Sequence, residues 1–238
     1  MQQRWKWLLV IVPVAVLAVV LGGTYVYIHF IAPDPAPRLT FTSPASSASS
    51  SASSSSSGSA SGATSGSIDG TWTATSASEA GYRVKEVLAG QDNEATGRTT
   101  AVTGQLVISG KTVSTASITV DMTKVASGES QRDGQFRSRI MQTSQFPTAT
   151  FELKTPITLD SIPADLVQVN VKASGTLTLH GTANDVTIDL AARRNGANLE
   201  VNGTVPITFS DYKIANPSGG PASVGDSGEM EFLVVFTR

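Results

Sequence analysis

A chain of 238 residues, 40% hydrophobic and 15% charged, has the length of one or two domains. Its formal net charge is −2, and −4 over residues 68–238 (14 Lys+Arg against 18 Asp+Glu), which leaves no electrostatic footprint for nucleic acid and no built-in attraction to anionic lipid heads. The absence of cysteine excludes disulfides, thiolate metal sites, a Cys nucleophile and a lipidated cysteine.

A short basic segment, residues 1–7, carries Arg4 and Lys6. Leu8 to Ala32 then runs for 25 residues without Asp, Glu, Lys or Arg. As a helix it measures about 37 Å, enough to cross a bilayer core of about 30 Å. Basic residues precede it and Asp34 is the first charge after it, so the C-terminal bulk is expected outside the cytoplasm. Trp5, Trp7, Tyr25 and Tyr27 fall near its two ends, where amphipathic rings settle. A cleaved signal peptide is the rival reading, with Gly22-Gly23 ahead of a cut, although the apolar core is long for one. The expectation is a single-pass anchor in the cell membrane over residues 8–32. His29, at its outer end, reads as an interfacial residue.

Residues 33–67 change character. Pro33, Pro35, Pro37 and Pro44 come first, then a Ser/Ala/Gly tract from Ser46 to Ser67. Such a composition buries too little apolar area to offset its ordering entropy, so the whole stretch is expected to be a disordered linker. A flexible chain of this length spans roughly 30 Å, which makes whatever follows a tethered object.

From Thr71 onward the dominant signal is period-2 alternation. Val167, Val169, Val171, Ala173, Gly175, Leu177 and Leu179 share one face, with Gln168, Asn170, Lys172, Ser174, Thr176 and Thr178 on the other. The same period runs through Ala116, Ile118, Val120 and Met122, through Val186, Ile188 and Leu190, and from Leu199 to Phe209. Leu106 and Ile108 fit it, as do Ala149, Phe151 and Leu153. In the last strand Met230, Phe232, Val234 and Phe236 alternate, while Leu233 and Val235 suggest cover on the second face as well. Ser109-Gly110, Gly181 and Asn195-Gly196 mark turns, the last pair a hairpin. One stretch interrupts the pattern, Ser130 to Phe151: it starts with a charged, helix-compatible run, breaks at Phe146-Pro147 and ends in the alternating segment Ala149, Phe151 and Leu153.

About eight or nine long strands with one polar and one apolar face suit an antiparallel barrel, with a sandwich as the alternative. The inward face holds Gly104, Ala116, Ala149, Ala173, Gly175 and Gly203, small residues that leave room for a ligand, unless the glycines mark bends in a filled barrel. Phe136, Ile140 and Met141 of the helical insert are placed to close one end.

Catalytic patterns are missing. His180 is the only histidine after His29, no nucleophile elbow precedes a helix, and Glu129, Asp133 and Glu152 have nothing to position them as a carboxylate pair. Gly219-Gly220-Pro221 lies in a loop, not between a strand and a helix. Arg132-Asp133 reads as ion-paired with local partners. No enzyme, metal site or cofactor is expected.

Several stretches, in order, carry a resemblance. They are Gly70-Thr71-Trp72, Ser78 to Val84, Arg132-Asp133, Phe136-Arg137-Ser138, Phe146 to Phe151, Gly175 to Thr182 and Glu231-Phe232. Together they resemble the YceI-like family of periplasmic and secreted bacterial lipid-binding proteins, over residues 68–238. The resemblance implies an all-β fold, an extended lipocalin-like antiparallel barrel with a short helical insert, whose interior holds a long-chain lipid or isoprenoid. The chain departs from the family pattern at Ile140 and Met141, where aromatics are common, at Ala74-Thr75, and at Thr208 to Tyr212, where an Arg is missing.

On that basis the expected wall is Leu106, Ile118, Val120, Phe151, Val171, Leu177, Leu179, Ile188, Val205 and Phe209. Phe136, Ile140 and Met141 are expected as a lid, and Tyr82, Arg132 and His180 as contacts to a polar head. The expected whole is a membrane-tethered extracytoplasmic lipid carrier. Its rival is a stalked interaction domain with a filled core, using the long loop Asp211 to Gly228 as its contact surface.

Overall fold

The computed structural model describes residues 35–41, 67–88, 90–219 and 222–238. The anchor expected over 8–32 and the tract 42–66 lie outside the described residues. No helix among the described residues is long and apolar enough to cross a membrane.

The strands are β1 (Gly70–Ala74), β2 (Glu79–Leu88), β3 (Gln91–Thr99), β4 (Val102–Ser109), β5 (Thr112–Asp121), β6 (Thr148–Leu153), β7 (Ile157–Thr158), β8 (Val169–Leu179), β9 (Thr182–Asn195), β10 (Asn198–Thr208), β11 (Ala222–Val224) and β12 (Ser227–Thr237). Between β5 and β6 come a 3-10 turn (Met122–Lys124), the helix α1 (Ser130–Gln135) and a π-turn (Phe136–Ile140). All strand pairings are antiparallel. They run β1–β4–β5–β6–β8–β9–β10–β12 and return from β12 to β1, which closes an eight-stranded barrel. Closure removes the free edges that an open sheet would leave.

β12 has a different neighbour along each half. Phe236 and Thr237 pair with β1, whereas Glu229 to Leu233 pair with β2, which carries β3 on its far side. Past β3 no full strand follows among the described residues; Arg98 and Ala126 exchange backbone hydrogen bonds of 2.8 and 2.9 Å, and the segment leading into α1 takes that place. The inserted helix thus completes the wall at one end of the barrel. Pairing of β10 with β9 stops at Gly203 opposite Leu190, and Pro206, which has no N–H to donate, sits in the half of β10 beyond that point.

Alternation decides which side chains fill the barrel. In β8, Ala173, Gly175, Leu177 and Leu179 are buried while the residues between them are more open. The core joins these to Trp72, Leu106, Val120, Phe136, Val205, Ile207, Val234 and Phe236. Trp72 is held by an Nε1–H bond of 2.8 Å to the Ile68 carbonyl. β12 is covered on both faces, as its sequence suggested: Val235 is buried, and its backbone N–H and C=O meet Ser78 Oγ at 3.0 and 3.3 Å.

Three expectations are corrected. Val167 is 50% exposed and precedes β8, because Leu166 takes a left-handed φ of 60° and turns the chain. The stretch Asp211 to Gly228 is no free loop. The 3-10 turn Phe209–Tyr212 starts it, Ile214 is buried, β11 pairs with β2, and Asn216 Nδ2 donates to the Val224 and Gly225 carbonyls at 3.2 and 3.1 Å. The third concerns Pro35 to Phe41, expected within a disordered linker. These residues lie on the outside of the barrel, with polar groups of the wall satisfying their backbone.

Candidate functional site

Among the described residues, two adjoining cavities lie within the barrel. The inner one has a volume of about 190 Å³ and walls from β4, β5, β6, β8, β9, β10 and β12. Leu106, Ile118, Val120, Phe151, Val171, Leu177, Ile188 and Val205 line it, all of them expected from alternation. The outer one, about 350 Å³, lies under the helical insert and is lined by Tyr82, Arg132, Phe136, Ile140, Met141, Leu179 and Phe209. Met230 lines both, so the two adjoin at its side chain. Pockets of about 300–1,000 Å³ suit small organic ligands, and of these two cavities the outer one reaches that range.

At Gly175 and Gly203 of the inward face a neighbouring aromatic ring occupies the space beside the glycine, as one does at Gly97 on β3, whereas at Gly104 the neighbours are the Ser117 carbonyl and the Ile118 side chain. A β-carbon at Gly175 would stand 2.5 Å from the Phe151 ring, one at Gly203 2.7 Å from Phe232, and one at Gly97 2.4 Å from Tyr82. Each ring lies over bare backbone of a neighbouring strand and so hugs the wall.

Phe136, Ile140 and Met141 of the insert all line the outer cavity. Phe136 and Met141 are buried, and the Phe136 ring stacks on Tyr82 at 5.1 Å and 14°. Asp133 does not pair with its neighbour Arg132. It accepts from Ser127 N–H at 2.8 Å and from Ser127 Oγ at 2.7 Å, which pins α1 to the segment before it. Arg132 reaches back to Glu86 on β2 at 3.3 Å, and Glu86 also accepts from Asn93 Nδ2 at 2.7 Å. Glu129 and Glu229 line the same cavity. The outer cavity therefore has one polar side, while the inner cavity is walled mainly by aliphatic and aromatic side chains. Burial pushes the Tyr82 phenol up to about 12, against the opposing pull of Arg132. It stays a neutral hydrogen-bonding group at physiological pH.

His180 is the candidate that the structure sets apart, for it lines neither cavity. It and Gly181 form the two-residue turn between β8 and β9, at φ 50° and 70°. Such tight hairpins need positive φ at both central residues, a conformation in which His is enriched. Its ring packs on Phe146 at 4.6 Å and its Nδ1 lies 3.1 Å from the Tyr212 carbonyl. Its role is to hold the turn to the loop after β10.

Other wall residues were not singled out from sequence. Met230 and Phe232 were legible as inward positions of β12. Ile214, Pro217 and Val224, which wall the outer cavity, sit in a stretch whose Gly, Pro and Ser content concealed it.

The family model for the YceI-like domain matches residues 72–236. No match is found among curated proteins. Among solved structures, a polyisoprenoid binding domain from Saccharophagus degradans, implicated in plant cell wall breakdown, is similar at 19% identity and a TM-score of 0.57, over 71% of this chain and 98% of that one. BcnA of Burkholderia cenocepacia is similar at 22% identity and a TM-score of 0.49, over 65% of this chain and 95% of that one. A YceI protein of Campylobacter jejuni has 16% identity and a TM-score of 0.47, over 58% and 81%. At these identities the first likeness is one of fold.

Proposed function

Because the chain belongs to the YceI-like family, we propose that it is a binding or carrier protein for a long-chain amphiphilic lipid of isoprenoid type. The observation that carries this reading is the pair of cavities adjoining at Met230, apolar within and polar on one side of the outer chamber. An apolar chain would lie in the inner cavity, where burial contributes about 25 cal/mol per Å² removed from water. Its polar end would face Arg132, Glu86 and Tyr82, with the insert as lid. The apolar stretch at residues 8–32, preceded by Arg4 and Lys6, supports a membrane anchor with the barrel outside the cytoplasm.

The test is to purify the full chain, extract it with organic solvent and identify the lipids by mass spectrometry. Met230→Trp, which narrows the junction, and Leu177→Arg, which charges the inner wall, serve as controls against lipid carried on the anchor. The natural chain should yield a long amphiphile at near-stoichiometric amount and the folded variants much less. Equal lipid in all three, or a natural chain that is empty and takes up no added lipid, would sink the reading.

A further inference from the structure

Alternation turns a second set of side chains away from the lumen: Thr96 and Arg98 on β3, Arg83 on β2, Glu231 on β12, Asn202 on β10 and Arg193 on β9. The outside of a barrel is ordinarily solvated, yet Glu231 is 2% and Arg83 5% exposed. Residues 35–41 cover them, crossing those five strands in order. Ala36 N–H donates to Thr96 Oγ1 at 3.0 Å, and the Ala36 and Pro37 carbonyls accept from Arg83 and Arg98. Arg38 pairs with Glu229 at 2.8 Å. Leu39 N–H donates to Glu231 Oε2 at 3.2 Å, and the Leu39 carbonyl accepts from Asn202. The Arg193 guanidinium lies over the Phe41 ring at 4.6 Å.

The dimensions agree. Four gaps between five strands amount to about 19 Å, and the five steps from Ala36 to Phe41 reach about 17 Å when extended, so side chains need close only the last ångströms. The chemistry agrees as well. Among the described residues the buried Glu231 meets Arg83 at 2.9 Å, Arg98 and the Leu39 amide, so the segment supplies part of what a buried carboxylate requires. Pro35 and Pro37 bring no N–H that would be left unpaired.

We propose that the outer face of β3, β2, β12, β10 and β9 is a binding site for the chain's own residues 35–41, and that this docking, rather than the Ser-rich tract, sets how far the barrel stands from the membrane. The second half rests on the anchor reading above. The tract 42–66 leaves the barrel at Phe41 and rejoins it at Ser67, so its length does not add to the barrel's height. Only residues 33 and 34 separate the apolar stretch from the docked segment, which places the first strand contact, at Ala36, within about 14 Å of the end of that stretch.

The full chain has no cysteine, so one introduced at the exposed Asp189 takes a single donor dye. Reconstituted in phosphatidylcholine/phosphatidylglycerol vesicles with an acceptor lipid, it reports barrel height by energy transfer. An insertion of about twenty Gly/Ser residues after Ser57, a flexible span of roughly 25 Å, should leave the transfer unchanged. The same insertion between Asp34 and Pro35 should lower it, as should the insertion after Ser57 once Leu39→Asp and Phe41→Asp remove the docking. A fall in transfer from the Ser57 insertion alone would overturn the proposal. A chain that does not float with vesicles breaks the anchor reading instead. Docking is then read by hydrogen exchange on the same protein: the Ala36 and Leu39 amides should exchange at least about 100-fold more slowly than those of the Ser tract. Exchange at the tract's rate would refute docking whatever the anchor does.

Discussion

Glu231 carries two arginines from beneath the docked segment. Burial pushes its carboxyl up, but the hydrogen bond and charge of Arg98, the Leu39 amide and Arg83 outweigh that and hold it below the usual 4.5. A carboxylate whose folded pKa is depressed stabilises the fold above its unfolded pKa, and that contribution is lost as pH falls through the folded value. Glu231→Gln should therefore cost about 3 kcal/mol at neutral pH, because it leaves Arg83 and Arg98 short of a counter-charge. In urea melts the gap to the natural chain should close as pH drops below about 4.5. Tyr82 behaves in the opposite sense. Its pKa is raised to about 12, so its contribution is complete below the unfolded value of about 10 and fades as pH climbs through 12. Absorbance titration of the natural chain against Tyr82→Phe should place this phenolate late, and the variant should tolerate alkali better. Gly175 is a packing case. A methyl there meets the Glu152 carbonyl at 2.3 Å as well as the Phe151 ring, so Gly175→Ala should lower stability by about 1–3 kcal/mol, read from the denaturant midpoint.

Short elements, not strands, govern the mouth of the barrel. Helix α1 has six residues, too few to stand alone, and Asp133 ties it to Ser127. Asp133→Ala removes two hydrogen bonds to a carboxylate and should cost about 2 kcal/mol. Because α1 leads into Phe136 and Met141, the variant should also release bound lipid faster, measured by transfer to acceptor vesicles, while the core strands keep their hydrogen-exchange protection. At the β8–β9 turn, His180 and Gly181 satisfy a backbone requirement, and a β-carbon at Gly181 would fall 2.4 Å from the Phe146 ring. The turn and Phe146 are thus packed as one unit. The loop after β10 belongs to the wall too, since β11 pairs with β2 and Ile214 is buried.

At the scale of the whole molecule, a closed barrel that takes a lipid into its two cavities, as proposed above, is expected to be stabilised by it. A ligand bound only by the folded state adds RT ln(1 + [L]/Kd), about 2.7 kcal/mol at 100 times Kd. Saturating the chain with its extracted lipid should raise Tm by several degrees, and the rise should vanish in Met230→Trp.

The number of strands in the closed barrel, their facing and most of the cavity wall were legible in the sequence, because side-chain period is a local property, whereas the short additional strands β7 and β11 carried too few residues to show one. A residue such as Leu177 or Ile188 points inward wherever its strand lies, once the strand is half-buried. The family was legible for the same reason, through short motifs at turns and strand ends. What only the tertiary structure decided are contacts between segments distant in the chain. Alternation turns Glu231 outward, and nothing local says that residues 35–41 lie over it. Leu39 and Phe41, two apolar side chains among prolines and serines, were the faint signal. What lies beside the glycines was not legible for the same reason: that Phe151 lies over Gly175 and Phe232 over Gly203 depends on register between strands, which no single strand encodes. The Ser-rich and Pro-rich composition argued for a long free tether, and composition cannot report that a seven-residue stretch within it finds paired partners on five strands.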